Sequence, residues 1–475
     1  MHLMNKENRT FLENYEKEVN KFFDGELKGE TLKDLQNDKL KKILRYVHKN
    51  CAYYKKMLDG VENWQDIILD DIERIPFTTK DTLREQGLDM LSQPIENNVY
   101  YYETTGTTGA ATPCPRSMVD VISSNVTISL AYKKVFESVF GDRKPVVGVF
   151  GPTEVHSFGD TLGNVCHNLD MCAVKAWPYS PVIGFEKTLE LMKKLNIEVI
   201  MCTPGLSMTL FKAAKAFGYD IKNDLNVKML MLTGEMCTAA MARNIEKLWN
   251  AKVFNFMYGS QEALVMATCN RENRMNIFPH NYIYEVIDVE TGRSKGSVGE
   301  GELVVTMLNP GGKPLIRYRT GDMVRITDRA GSPLPSYEIE IMGRIKDKIP
   351  FNDAQYKASD FETAILEGVE NCIGYQIIID RNSNGTDTLE IKLEMDKSVN
   401  NVDVVEKRVI DNFKEKFNTV VSVNFEDELN PIIFTGAMVS WKAARIIDKR
   451  STRSNSTMEV DSAHRMIKQG VVKTV

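Results

Sequence analysis

No hydrophobic run in this 475-residue sequence is long enough to cross a bilayer as a helix. The opening residues, MHLMNKENRT, are polar, so no signal peptide is expected. Cysteine never occurs as a CxxC pair: the eight residues stand singly at 51, 114, 166, 172, 202, 237, 269 and 372. Zinc-ribbon and thioredoxin-like chemistry therefore have little support, and a reducing, cytoplasmic setting is the expectation. There is no excess of positive charge either, since 60 Lys and Arg face 65 Asp and Glu. A net charge of −5 argues against a nucleic-acid binder or a protein of anionic membrane surfaces. Internal repeats and low-complexity segments are missing.

What remains is the composition of a globular protein, 43% hydrophobic and 26% charged, long enough for two or three domains. Up to about residue 100 the pattern is helical, as in Leu40, Ile43, Leu44, Val47 and Cys51. The middle alternates short β-like runs, PVVGVF (145–150), IEVIMC (197–202), VKMLML (227–232) and VFNFMY (253–258), with helical segments such as 185–195 and 239–249. This alternation predicts a mostly parallel sheet covered by helices, with ligands beyond the carboxyl ends of its strands. After Asn281 the texture changes to hairpins, and beyond Gly343 to a smaller α+β pattern. The expected fold is therefore α/β: a large N-terminal domain (1–342) with mostly parallel sheets covered by helices and a β-rich subdomain, a small mobile α+β C-terminal domain (343–450), and a flexible polar tail (451–475).

Five stretches carry candidate chemistry. YYETTGTTGAATPCPRS (101–117) has flexible backbone at Gly106 and Gly109, and hydroxyls at Thr104, Thr105, Thr107 and Thr108. Successive N–H groups in such a turn form an anion-binding nest, although the stretch lacks the Gly-Lys pair of a Walker A loop. In MYGSQEA (257–263), Tyr258 suits stacking on a planar base and Glu262 suits a cation that bridges phosphates. RYRTGD (317–322) ends on Asp322, whose two oxygens can accept both hydroxyls of a ribose. MGRIKDKI (342–349) opens the small domain, and WKAARIID (441–448), with Lys442 and Arg445 one turn apart, nearly closes it. Singly, each reads as readily as a polar turn, a solvated charge pair or a basic helix face.

Together, in this order, the series resembles the adenylate-forming superfamily of acyl-CoA synthetases, peptide-synthetase adenylation domains and luciferases, and within it the phenylacetate-CoA ligase-like branch. TTGTTG resembles the phosphate loop (S/T)SGTTG, MYGSQEA the YGxTE motif, LTGEM (232–236) the segment along the adenine, and GRIKDK the hinge motif. RYRTGD matches its namesake, and WKAARIID is similar to the GKxxRVID ending. The likeness covers most of the chain. It departs from the pattern where Ala110, Ala111 and Thr112 replace a loop lysine, where Gln261 replaces a hydroxyl residue, and where Trp441 replaces a glycine.

The resemblance implies two half-reactions: ATP converts a carboxylic acid to an acyl-adenylate, then, after rotation of the small domain, a pantetheine thiol displaces AMP. By that likeness Thr104, Thr105, Gly106, Thr107, Thr108 and Gly109 hold phosphate, while Gly234, Glu235, Tyr258, Gly259, Ser260 and Gln261 line the nucleotide. Asp322 takes the ribose, Arg344 contacts the nucleotide, Lys346 is the hinge, Glu262 ligates Mg²⁺, and Lys442 is the adenylating lysine. His156, Phe158, Gly159, Asp160 and Met236 are candidates for the acid pocket, with an aryl or arylacetic acid favoured. ATP, Mg²⁺ and coenzyme A or a phosphopantetheine carrier are the implied cofactors. Zinc is not expected, because Cys269 and His280 supply two ligands of a family zinc site whose CxCGR pair is missing. The expected partners are a small carboxylic acid, a stand-alone carrier protein and a second copy of the chain in a homodimer; neither nucleic acid nor membrane is expected. Two alternatives stay open: an adenylation enzyme loading an aryl or amino acid onto a carrier in trans, and a degenerate nucleotide binder without turnover.

Overall fold

A computed structural model describes residues 4–104, 111–180, 182–429 and 445–450. They are mixed α/β and fall into two compact units, each assembled from separated pieces of chain: 1–143, 154–170 and 256–346 in the first, 144–153, 171–255 and 347–475 in the second. Among the described residues, no helix is long and apolar enough to cross a membrane.

The first unit combines helices with a seven-stranded sheet. Its strands run in the spatial order Met257–Ser260, Leu264–Cys269, Met275–Ile277, Glu338–Arg344, Tyr318–Thr327, Gly299–Met307 and Tyr282–Ile287, and every pairing is antiparallel. The helix Met118–Phe140 starts at a capping box in which Ser117 and Asp120 satisfy each other's backbone N–H groups. The N-terminal helix Lys6–Phe23 is tied to it by Tyr15, whose hydroxyl donates to the Ser123 carbonyl at 2.8 Å and lies 2.8 Å from the Thr127 hydroxyl. His280 and Cys269 are both buried, and His280 Nε2 lies 3.2 Å from the Thr127 hydroxyl.

The second unit contains a five-stranded parallel sheet in the order Ala173–Lys175, Val147–Val149, Val199–Cys202, Met229–Leu232 and Lys252–Asn255. The three central strands are buried along their whole length, which is why they read as continuous apolar runs. Helices Gly184–Lys194, Pro204–Ala216 and Ala239–Trp249 connect them. The C-terminal part adds a hairpin (Lys348–Phe351, Ala354–Lys357) and helix Ala358–Leu366. A four-stranded sheet follows, in the order Ser422–Phe425, Asp387–Met395, Cys372–Arg381 and Ile446–Asp448, with helix Val402–Phe417. Its apolar residues join those of the parallel sheet in one hydrophobic core.

Three details differ from the pattern in the sequence. VFNFMY is not one strand: it breaks at Phe256, its first half pairing in the parallel sheet and its second opening the antiparallel one. Within the hairpin-like region the motif RYRTGD and the run MVRIT after it are not separate arms: Tyr318–Thr327 is a single strand, interrupted by a bulge opposite Glu302 to Val304. Gly321 has φ +76° within that bulge, a conformation that suits glycine. The end of WKAARIID is extended, with Ile446–Asp448 paired in parallel to Ile377–Ile379.

Candidate active site

In the first unit residues 100–104 and 112–116, which flank the glycine- and threonine-rich stretch in sequence, run antiparallel as two legs. The legs are held by Cys114 N–H to Tyr102 carbonyl (2.7 Å), Arg116 N–H to Tyr100 carbonyl (2.8 Å) and Thr104 N–H to Thr112 carbonyl (3.1 Å). The Thr104 hydroxyl oxygen accepts the Thr112 N–H at 2.9 Å and so closes the last rung. Thr105, Gly106, Thr107, Thr108 and Gly109 lie outside the described residues, as does Lys442.

Three separate motifs meet beside that unit's sheet. Asp322 and Arg344 are direct partners across the pair Tyr318–Thr327 and Glu338–Arg344. The Tyr258 hydroxyl donates to Asp322 Oδ2 at 2.6 Å, and Arg344 Nε lies 3.6 Å from Asp322 Oδ1. Burial, and then the Asp322 charge, push the Tyr258 hydroxyl well above its ordinary pKa, so it remains a donor. A carboxylate already shaped to accept two hydrogen bonds is thus flanked by an aromatic ring and a cation. Glu302, fully buried, pins the bulge from behind: it accepts from the Gly321 N–H at 3.2 Å and from the Arg319 guanidinium. Lys346 stands in the turn after Arg344, where the chain passes from the first unit to the second.

Glu262 is only 4% exposed and pairs with Lys80 Nζ at 3.0 Å. Burial pushes its carboxyl up, but Lys80 and, more weakly, Lys313 outweigh it and hold the group below the ordinary value. Lys313 is itself buried against the Pro113 carbonyl, and desolvation lowers its pKa. Arg116 donates to the Gln261 carbonyl and stands over the Tyr102 ring, 5.9 Å from its centroid. The Gln261 side-chain oxygen is buried without a hydrogen-bond partner. Cations therefore do gather next to the legs 100–104 and 112–116, around Cys114, although the TTGTTG motif itself carries none.

Sequence reasoning missed Lys80, Arg116, Lys313 and Glu302. Lys80 had a readable neighbourhood, because Thr79 caps the helix Lys80–Gln86 in a capping box. Its placement beside Glu262 depends on a remote strand: Thr78 N–H donates to the Arg317 carbonyl (3.0 Å), and Arg319 N–H donates to the Thr78 carbonyl (2.9 Å). Arg317 in turn is buried on Glu285, at 2.7 Å. Nothing local in the sequence marks these contacts.

Of the acid-pocket candidates, Phe158 and Gly159 are buried in the first turn of helix Phe158–Asn168. His156 Nδ1 accepts the Phe158 N–H at 3.1 Å, and Asp160 accepts from the Tyr102 hydroxyl at 2.9 Å. Tyr102, Arg116, Asn125, Asp160 and Asn164 line a polar cavity of about 20 Å³, room for roughly one water.

In the second unit the adjacent parallel strands Val199–Cys202 and Met229–Leu232 lead into the stretches TPGLS (203–207) and LTGEM (232–236). Thr203 caps helix Pro204–Ala216 by accepting the Leu206 N–H at 3.0 Å. Gly234 has φ +86°, and Glu235 folds back to accept the Gly205 N–H at 3.1 Å. Met236 is half-buried in the same loop. Glu235 also pairs with Arg445 at 3.2 Å. Burial works against the Arg445 charge, but Tyr375, Glu235 and Glu362 outweigh it and keep the guanidinium protonated. Burial pushes the Glu362 carboxyl up, with Arg445 opposing.

Among the described residues, no cluster of three or more His, Cys, Asp or Glu could hold a metal ion by itself. Glu262 offers a single carboxylate, already paired with Lys80, so an ion held there would have to take most of its oxygens from elsewhere, as Mg²⁺ does from water and phosphate.

Residues 104–309 match the family model described as AMP-binding enzyme. The chain is 28% identical over 383 residues to a phenylacetate-coenzyme A ligase of Thermus thermophilus, covering 78% of this chain and 82% of that one. It is 24% identical over 434 residues to the enzyme of the same name from Aromatoleum evansii, covering 88% and 94%. Among solved structures it is similar to a 2-hydroxyisobutyryl-CoA ligase bound to its acyl-adenylate, with a TM-score of 0.72 at 18% identity, over 91% of this chain and 92% of the other.

Proposed function

The chain belongs to the adenylate-forming superfamily, on its phenylacetate-CoA ligase-like branch, and from that premise we propose that it joins a small carboxylic acid to coenzyme A at the expense of ATP. In the first half-reaction an acid oxygen attacks the α-phosphorus, the bond to pyrophosphate breaks, and acyl-adenylate remains. In the second, the thiol sulfur attacks the acyl carbonyl and AMP leaves. The observation that carries this reading is the meeting of Tyr258, Asp322 and Arg344 from three motifs.

In this reading Asp322 accepts the ribose hydroxyls, Tyr258 presents its ring to the base, and Arg344 offers a cation to the nucleotide. Thr104 to Gly109 are the proposed residues that cradle the leaving phosphates. Lys80 and Lys313 supply the positive charge that the loop motif lacks. Glu262 would hold Mg²⁺ arriving with the triphosphate, and the ion would offset phosphate charge. Lys442 is the proposed adenylating lysine and Lys346 the proposed hinge.

An amino-acid substrate would need a carboxylate for its ammonium, and the two candidates named above, Asp160 and Glu235, are engaged within their own units: Asp160 with Tyr102, and Glu235 with Gly205 and Arg445. This favours an acid without an amino group, and the named relatives favour an aryl or arylacetic one. ATP–pyrophosphate exchange with a panel of aryl, arylacetic, short hydroxy and amino acids tests the reading. Exchange with an aryl or arylacetic acid, followed by thioester formation with coenzyme A, is expected. Exchange with no acid while ATP still binds would overturn turnover; exchange with amino acids alone would overturn the substrate class.

A further inference from the structure

Arg445 is engaged on two carboxylates brought from different parts of the second unit. Nη2 lies 3.2 Å from Glu235 Oε2, and Nη1 lies 3.3 Å from Glu362 Oε2. The guanidinium stands over the Tyr375 ring, 5.3 Å from its centroid. Tyr375 and Thr238 hydroxyls donate to Glu362, while Glu235 also accepts the Gly205 N–H. No more than 13% of any of the three charged side chains is exposed. The Arg445 carbonyl accepts the Ile377 N–H at 2.8 Å, which starts the strand Ile446–Asp448.

Burying three ionic side chains is costly unless each finds partners, and this group satisfies that condition. A guanidinium can reach two carboxylates at once through its fork, whereas an ammonium is a single point of charge. The cluster therefore does more than neutralise. It fixes the loop LTGEM, whose Gly234 holds a left-handed backbone, to the strand that ends the described chain.

We propose that Arg445 is a positioning residue for the LTGEM loop: by holding the Glu235 carboxylate it pre-organises residues 233–237 for an adenine nucleotide and couples nucleotide affinity to the docking of strand Ile446–Asp448. The proposal rests on the adenylating reading above, in which that loop borders the adenine. Coupling of this kind is reciprocal, so nucleotide binding also steadies the strand.

The test is calorimetric titration of AMP and of ATP into the full chain and into Arg445→Met, Arg445→Lys, Glu362→Gln, Glu235→Gln and the double variant Glu235→Gln/Arg445→Met. Hydrogen exchange of residues 233–237 and 446–448 is followed alongside. Arg445→Met is expected to weaken both nucleotides about 5- to 50-fold and to speed exchange in both segments. Arg445→Lys recovers only part of the loss. In the Glu235→Gln background, removing Arg445 weakens binding no further, because it acts through that carboxylate. Wild-type affinity in Arg445→Met overturns the proposal, and so does a loss that simply adds to that of Glu235→Gln. If Arg445→Met fails to fold, Arg445→Lys and Glu362→Gln decide: unchanged affinity and exchange in both overturns it. A wild-type chain that binds neither AMP nor ATP overturns the adenylating reading, and this proposal with it.

Discussion

At Glu262 two opposing effects act on one carboxyl. Burial alone would raise its pKa, but the Lys80 ammonium at 3.0 Å wins, with Lys313 helping, and the group sits below its ordinary pKa. A carboxyl held low in the fold adds stability above its unfolded pKa of about 4.3, and that contribution is lost as pH falls through the folded value. Replacing Lys80 by Met removes the main opposing charge, so burial takes over and the carboxyl protonates at a higher pH. The expected result is an acid limb of the exchange-rate profile displaced upward in pH, with exchange at neutral pH reduced on the order of 10²-fold. An acid limb that stays where it is would show that Lys80 does not set the Glu262 charge.

The element that carries Tyr258 explains a glycine whose sequence role looked purely nucleotide-related. Strands Met257–Ser260 and Leu264–Cys269 pair with a register shift between Tyr258 and Gly259. A Cβ on Gly259 would stand 2.5 Å from the Leu264 carbonyl oxygen, so the two backbones approach too closely for any side chain. Gly259→Ala is expected to cost about 1–3 kcal/mol and to displace Tyr258 from Asp322. A lowered thermal midpoint together with weaker AMP binding checks both parts. Full stability with weaker AMP binding would mean that the glycine serves the ligand rather than the strand pair. The break of VFNFMY at Phe256 belongs to the same scale: each half is a plausible strand, and only its pairing partners reveal two sheets.

Across the second unit as a body, the C-terminal part is held to the helices of the parallel sheet by a mixed set of contacts. Asn244, fully buried, mimics a backbone partner: its amide donates to the Cys372 carbonyl at 2.7 Å, and its oxygen accepts the Cys372 N–H at 2.9 Å. Around it are ion pairs such as Arg243–Glu367, both 54% exposed, and Lys212–Glu394, which is mostly buried. Exposed pairs contribute little and are screened by salt, whereas two buried backbone groups left without partners cost about 1–3 kcal/mol each. Asn244→Ala should therefore lower stability by about 2–6 kcal/mol and speed hydrogen exchange across Cys372–Arg381, while added salt changes the wild type little. Strong salt sensitivity with a mild Asn244→Ala effect would reverse that ranking.

The sequence by itself determined the α/β class, the approximate positions of strands and helices, and the ordered motifs that point to the family. Those signals are local: buried strands show as apolar runs, helices as a 3.6-residue period, and motifs as short strings. Only the tertiary structure decided that Asp322 faces Arg344 and receives the Tyr258 hydroxyl. That depends on strand register, and a slip of one residue would turn Asp322 to the opposite face. The same holds for Lys80 at Glu262 and for Arg445 at Glu235: each pair lies far apart in the chain, and its worth comes from burial that no local pattern encodes.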